Sequence, residues 1–481
     1  MNLSKSQYLK GLQCHKYLWL DKHRKDLLPE KADSVVMETG TSIGELARGL
    51  FSGGVLVDFD RGFTAMLAQT KALLKTEQVI YEAAFNANGS FALVDILVKN
   101  GNVWDVYEVK SSTKIKGTYL NDLSAQQLAI DVPIGKKYIM HIDSNYTRQG
   151  ALELDKLFHI EAVTDRLRSA EKVSQQMTEM QAILAGDEPN IGIGKHCFSP
   201  YKCSFKGHCW QDIPSPSVFN LYQMRSKAKF ANYEQGRITF DDFNREKLNK
   251  IQQLQVGGEL HIDKDIIADF VDSVDYPINF FDFETFQNAA PRFDNQSPYQ
   301  QMPFQYSLHI LQANGEIQHK EFLADEHSDP RPKLIKQMLN DIDANGSIIA
   351  FKQSFEKGVI SSLARFDENN AGELLTLNKR FVDLLVPFQR GGYYHPDFKG
   401  SFSIKSVLPA MFANDDELDY KKLEIQNGGM AMNIFANLHL IDDEKERLKI
   451  RDNLLKYCHL DTLAMVRIFQ KLANLSSSKP A

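Results

Sequence analysis

Apolar residues recur at three- and four-residue spacing in the first part of the chain, which predicts helices. Tyr8, Leu9, Leu12, Tyr17, Leu18 and Leu20 give one apolar face over residues 3–20, with Ser4 or Ser6 as the cap. A second helix is expected from Ser42 to Phe51, ended by Gly53 and Gly54, and a third from Thr64 to Leu74. Then the period changes. Val79 to Phe85, Phe91 to Val98 and Val103 to Val109 read as three strands of an antiparallel meander, with turns at residues 86–90 and 100–102. Residues 118–130 return to a helical pattern. Pro214 and Pro216 break the chain, and residues 218–270 read as mostly helical with an interruption at Gly257 and Gly258.

The second half opens on Phe280 to Phe286, a strand in which aromatic residues alternate with Asp282, Glu284 and a threonine. Side chains two apart on a strand share a face, so Asp282 and Glu284 stand together, opposite Phe281 and Phe283. Phe304 to Leu311 and Ile317 to Leu323 read as a hairpin. Asp329 and Pro330 open a helix to about Ile342. Ser347 to Phe351 is a short apolar strand, and a helix starts at Phe355 and Glu356. The segments Phe381 to Leu385 and Ser403 to Pro409 follow, and a last helix runs through Tyr457 to Thr462. This order predicts an α/β domain with a mixed sheet.

The chain has 481 residues, which suggests two to four domains at roughly 150 residues each. With 43% hydrophobic and 25% charged residues it has the composition of a globular protein. The net charge of −6 does not favour nonspecific binding to polyanions, an objection that weakens if many acids are metal ligands. The basic clusters at Lys110, Lys114 and Lys116, and at Arg225, Lys227 and Lys229, read as solvated surface. No apolar run is long enough for a membrane span, and Met1 to Leu20 lacks the apolar core of a signal peptide. A cytoplasmic protein without membrane contact is expected. In a reducing compartment its five cysteines are metal ligands or free thiols rather than disulfides.

Three groupings carry chemistry. Asp95 on one strand, with Glu108 and Lys110 on one face of the next, can assemble a metal site with an adjacent cation; an exposed hairpin with an ion pair is the alternative. Cys197, Cys203 and Cys209, with Cys14 far upstream, supply four thiolates for a 4Fe–4S cluster or a structural zinc. Asp282 and Glu284 need compensation if buried, and hard divalent cations such as Mg²⁺ provide it; the alternative is a sheet edge with solvated acids. Glu356 and Asp461 complete a possible four-acid set, and Tyr457 shares a helix face with Asp461. Asp383 reads as structural and Cys458 as a core thiol.

On these residues, the first part of the chain resembles the RecB-type iron–sulfur nucleases, a PD-(D/E)xK family that includes CRISPR-associated exonucleases. The resemblance implies Cys14, Cys197, Cys203 and Cys209 as 4Fe–4S ligands, and Asp95, Glu108, Lys110 and Gln126 as the catalytic core. The chain departs from that family in three ways. It offers Glu45 where an early helix often carries a histidine, it lacks a tyrosine four residues after Gln126, and its cysteine spacing is wider. The second half is similar to the DEDDy branch of the DnaQ-like, ribonuclease-H-like 3′–5′ exonucleases. Asp282 and Glu284 match the first motif, Glu356 stands where the second usually has Asp, and Tyr457 with Asp461 matches the last.

The resemblances imply a restriction-endonuclease-like domain with an iron–sulfur cluster over residues 1–212, a helical linker over 213–274, and an exonuclease-like mixed-sheet domain over 275–475. They also imply a two-metal nuclease using Mg²⁺ or Mn²⁺ on DNA with free ends or single-stranded regions. An RNA exonuclease, or a nucleic-acid-binding protein with a decayed N-terminal site, stands as the alternative.

Overall fold

The computed structural model describes residues 2–29, 34–413 and 415–477. It is a mixed α/β structure in two compact units. One unit takes the chain to Asp212 together with Asn288–Tyr299; the other takes Ile213–Gln287 and Gln300 onward.

The first unit is built on a seven-stranded sheet. Its strands are β1 (Leu3–Ser4), β2 (Val55–Leu56), β3 (Val79–Ala87), β4 (Ser90–Asn100), β5 (Val103–Lys110), β6 (Ile134–Ile142) and β7 (Phe158–Ala162). The order is β2-β3-β4-β5-β6-β7, with β1 pairing in parallel on β4. β3, β4 and β5 form the antiparallel meander, whereas β5 and β6 run parallel across the helix Gly117–Ala129. Asn88 and Gly89 both take positive φ in the first turn, the geometry a two-residue hairpin needs. Alternation buries both faces. Ile80, Leu97, Val106 and Ile139 pack with Met66 and Leu123. Tyr81, Ile96 and Met140 pack with Ile43 and Ala47 of the helix Ser34–Arg48 and with Ala289.

The expected single helix over residues 3–20 is two helices, Lys5–Gln13 and His15–His23. Cys14 between them is extended, with φ −165° and ψ 124°. Its N–H closes the first helix on the Lys10 carbonyl and its carbonyl opens the second by accepting from Leu18. Ser4 caps the first helix in a reciprocal arrangement with Gln7. The helix expected from Ser42 starts at Ser34, and the one expected from Thr64 spans Phe63–Thr76.

In the second unit a two-stranded ribbon pairs β8 (His261–Ile262) with a later strand. The main sheet has β9 (Ile278–Phe286), β10 (Met302–Leu311), β11 (Ile317–Leu323), β12 (Ile348–Ala350) and β13 (Phe381–Asp383); β14 (Tyr393–Tyr394) closes the ribbon. The order β11-β10-β9-β12-β13 is mixed: β10 and β11 are antiparallel to their neighbours, while β9, β12 and β13 are parallel. One face packs Phe281, Phe283, Tyr306 and Leu308 against Leu334 and Met338 of the helix Arg331–Asp341, and against Ile360 of the helix Ser354–Phe366. The other receives the helix Glu444–Ser477, whose Phe469 meets Phe280 edge-on. Residues 213–274 pack into this unit through the helices Ser226–Glu234, Lys250–Gly257 and Lys264–Asp272.

Phe281 is fully buried, so Phe281→Ala should cost the second unit about 3–5 kcal/mol in denaturant unfolding. Leu448→Ala, at a side chain 58% exposed, should change stability by no more than about 0.5 kcal/mol.

Candidate functional site

β9 places Asp282 and Glu284 on one face, in register with Ser307 and Gln305 of β10. The helix Glu444–Ser477 crosses that face and brings Asp461 to them. One carboxylate oxygen from each of Asp282, Glu284 and Asp461 lies within 4.8 Å of the other two. Glu356 stands outside this trio, on the first turn of the helix Ser354–Phe366, with Oε2 buried and unpartnered. Its charge still reaches Asp282 and Glu284.

The electrostatics follow from four acids converging with little compensation. Burial, then the charges of Asp461, Glu356 and Glu284, hold Asp282 well above the usual carboxylate range. Burial and Asp461 push Glu284 up to about 8, against the pull of Lys405. Burial, with a contribution from Asp383, pushes Glu356 up to about 7. Burial raises Asp461 to about 6, moderated by a 2.5 Å hydrogen bond donated by Tyr420 and by Lys405. An orphaned carboxylate oxygen and acids that repel one another fit a hard divalent cation, which supplies the missing positive charge.

Tyr457 is buried one helical turn before Asp461, and its hydroxyl accepts from Lys405 Nζ at 3.2 Å. Burial, Asp461 and Glu284 raise the Tyr457 phenol, so it stays protonated. Asp282, Glu284, Tyr457, Asp461 and Lys405 line a cavity of about 680 Å³. Tyr222, Phe351, Phe355 and Phe402 line it too, and Phe355 is 41% exposed. Asp383 instead holds the turn before Glu356. Its carboxylate accepts from the N–H groups of Lys352 at 2.8 Å and Gln353 at 3.2 Å. Lys352 has φ +75°, a conformation that costs a non-glycine residue and needs such anchoring. Cys458 is fully buried behind Asp282.

The first unit gathers a second cluster. Lys110 Nζ donates to Glu108 at 2.6 Å and to Asp122 at 2.8 Å. Lys5 Nζ reaches the same Glu108 oxygen at 3.1 Å, and Gln126 Nε2 donates to the other. Asp95 accepts from the Val109 N–H at 2.7 Å. Burial would raise Glu108, but Lys110 and Lys5 together hold it well below the carboxylate range. Burial and Glu108 push Asp95 up to about 7. Asp122 Oδ1 and Gln126 Oε1 are buried without partners.

Cys14, Cys197, Cys203 and Cys209 line one small cavity. The Gly194 N–H lies 3.5 Å from Cys197 Sγ, and the Cys203 N–H donates to the Cys197 carbonyl. Burial pushes the Cys203 thiol up to about 11 and raises Cys14 and Cys209. Thiols that resist ionising alone, yet share a cavity, fit a cationic group held by thiolates.

Sequence reasoning missed Lys405, Tyr420, Lys5 and Asp122. Asp122 had a signal: it lies four residues before Gln126 on the same helix face. The others come from distant segments.

A family model described as a domain of unknown function (DUF2779) matches residues 279–403. That span holds Asp282, Glu284, Glu356 and Asp383, and ends before Lys405, Tyr457 and Asp461. An uncharacterized protein (UU173) of Ureaplasma parvum serovar 3 (strain ATCC 700970) is 26% identical over 209 residues, covering 39% of this chain and 30% of that protein's length. Among the described residues, no helix is long and apolar enough to cross a membrane.

Acids whose folded values stand above their unfolded ones bind more protons when folded, so they lower stability as pH rises. With Glu284 near 8, Glu356 near 7 and Asp461 near 6, the metal-free second unit should lose stability steadily from pH 4 to about pH 8. Thermal melts in chelator should show this, and Glu284→Gln should flatten the slope.

Proposed function

We propose that the protein is a metal-dependent nuclease whose principal site is the acid cluster of the second unit. The observation that carries this reading is the convergence of Asp282, Glu284 and Asp461 in a cavity lined by aromatic residues, with the charge of Glu356 reaching Asp282 and Glu284. Asp282, Glu284, Glu356 and Asp461 would hold Mg²⁺ or Mn²⁺. Such cations supply activation of water and neutralisation of the leaving oxygen in phosphodiester hydrolysis.

The chain's own residues do the rest. Lys405 offers positive charge to a phosphate at the cavity wall, and it fixes the Tyr457 hydroxyl beside the acids. The Tyr457 hydroxyl keeps its proton and can orient a water or a phosphate oxygen. Tyr420 holds the orientation of Asp461. Phe355, an exposed ring on the cavity wall, offers a face on which a base can stack, with Tyr222 packed on Phe402 beside it. A cavity of this size admits a terminal nucleotide, which favours exonucleolytic cleavage. The mixed sheet with Asp282 and Glu284 at its centre supports a ribonuclease-H-like, DEDDy type of fold, with DNA as the expected substrate and RNA as the alternative.

For the first unit we propose a RecB-type, PD-(D/E)xK module carrying a 4Fe–4S cluster on Cys14, Cys197, Cys203 and Cys209. The meander that carries Asp95, Glu108 and Lys110, followed by the helix of Gln126, supports it. One observation favours a binding role over a cutting role there. Both oxygens of Glu108 are already engaged by Lys5, Lys110 and Gln126, so its charge is compensated from within.

End-labelled single-stranded DNA with Mn²⁺ tests the proposal. Wild type should produce a ladder, Asp282→Ala should slow it at least about 100-fold, and Glu108→Ala should leave it nearly unchanged. Absence of cleavage of any DNA or RNA by wild type would sink the nuclease reading; matched DNA and RNA oligonucleotides in competition would rank the substrates.

Protein purified anaerobically should be brown, with about four irons per chain. Stoichiometric zinc instead would replace the cluster while leaving the cysteine ligands in place.

A further inference from the structure

Three histidines from three elements meet on the sheet face that carries Asp282. His309 lies on β10, two residues from Ser307, the register partner of Asp282. His319 on β11 is the direct cross-strand partner of His309. His459 comes from the helix Glu444–Ser477. One ring nitrogen of each lies within 4.8 Å of the other two.

This arrangement has the chemistry of a ligand set. His319 Nε2 and His459 Nδ1 are 3.3 Å apart. Nitrogens bound at about 2.0–2.1 Å to a tetrahedral metal stand about 3.3 Å from each other, so this pair already has ligand spacing. The third ring is positioned from behind. His309 Nδ1 is 2.8 Å from Thr462 Oγ1, and that hydroxyl donates to the His459 carbonyl at 3.2 Å. Thr462 Oγ1 also lies 2.6 Å from Ser307 Oγ, so when its proton goes to that hydroxyl or to the His459 carbonyl it accepts from Nδ1–H, the tautomer that leaves the lone pair of His309 on Nε2. Ser307 Oγ, 3.0 Å from His319 Nε2, is the hydroxyl a metal would displace from that nitrogen. His319 and His459 open onto a cavity of about 400 Å³ that also receives Glu321 and Asp452, which leaves room for a fourth ligand or water.

We propose that His309, His319 and His459 bind one borderline transition-metal ion of the Zn²⁺ class, at a site separate from the acids around Asp282. Imidazole nitrogens select such ions, whereas carboxylate sites select Mg²⁺ and Mn²⁺. The ion fastens the β10–β11 hairpin to the helix that presents Tyr457 and Asp461. It does not depend on the nuclease reading, because the assignment rests on nitrogen geometry alone.

The test is Zn²⁺ binding by the full-length, chelator-treated protein, measured by equilibrium dialysis in excess Mg²⁺, for wild type, His319→Gln and His459→Gln. Zinc taken up elsewhere is common to all three proteins. Each substitution should weaken one equivalent of Zn²⁺ by more than about tenfold. Equal stoichiometry and affinity in wild type and both variants would overturn the site. Wild type alone supplies an independent reading if a variant does not fold. Zn²⁺ should slow diethyl pyrocarbonate modification of His319, read by mass spectrometry, by more than about tenfold, and an unchanged rate would overturn the proposal. Neither measurement reads nuclease activity, so failure of one proposal is distinguishable from failure of the other.

Discussion

Repulsion among carboxylates is the constraint on which the second unit turns. β9 fixes Asp282 and Glu284 two residues apart in the middle of a sheet, and the long C-terminal helix delivers Asp461 to the same point. Nothing about folding alone favours this, because buried like charges raise one another's proton affinity and oppose packing. The surroundings hold the acids there regardless. Phe281 and Phe283 anchor the strand from the opposite face, Phe280 meets Phe469, and Gln305 donates to the Leu454 carbonyl. An arrangement kept against its own electrostatics is one that a bound cation would relieve.

The first unit resolves the same problem differently. Its acids lie beside lysines, so Glu108 is stabilised as an anion while Asp95 is not. Lys110 and then Lys5 hold Glu108 down, and Lys5 belongs to a helix whose sequence gives no hint of a distant carboxylate partner. Two acid clusters in one chain therefore present opposite balances: one compensated by the protein, the other left largely uncompensated.

What could be read from the sequence was what local periodicity encodes. The two-residue strand repeat put Asp282 beside Glu284 and Glu108 beside Lys110, and the four-residue helical repeat put Tyr457 under Asp461. The meander and the mixed sheet were legible for the same reason. Contacts made across long stretches of chain were not. Lys405 and Tyr420 reach the acids from segments with no periodic signature, and the extended backbone at Cys14 broke a helix that the apolar spacing made continuous. Glu356 was legible as a carboxylate, but its place on the first turn of its helix depends on the turn that Asp383 anchors.

The chain passes between the two units three times, after Asp212, after Gln287 and after Tyr299. The connection between β9 and β10, the central pair of the second sheet, is thus also a part of the first unit, where Arg148 binds the carbonyls of Pro291 and Arg292. A single cut cannot yield both halves whole: severing the chain at residue 212 leaves the N-terminal piece without a segment that covers its sheet. In genetic terms the two units are not beads on a string. A crossover that exchanged either one for a foreign module would have to rebuild this excursion as well.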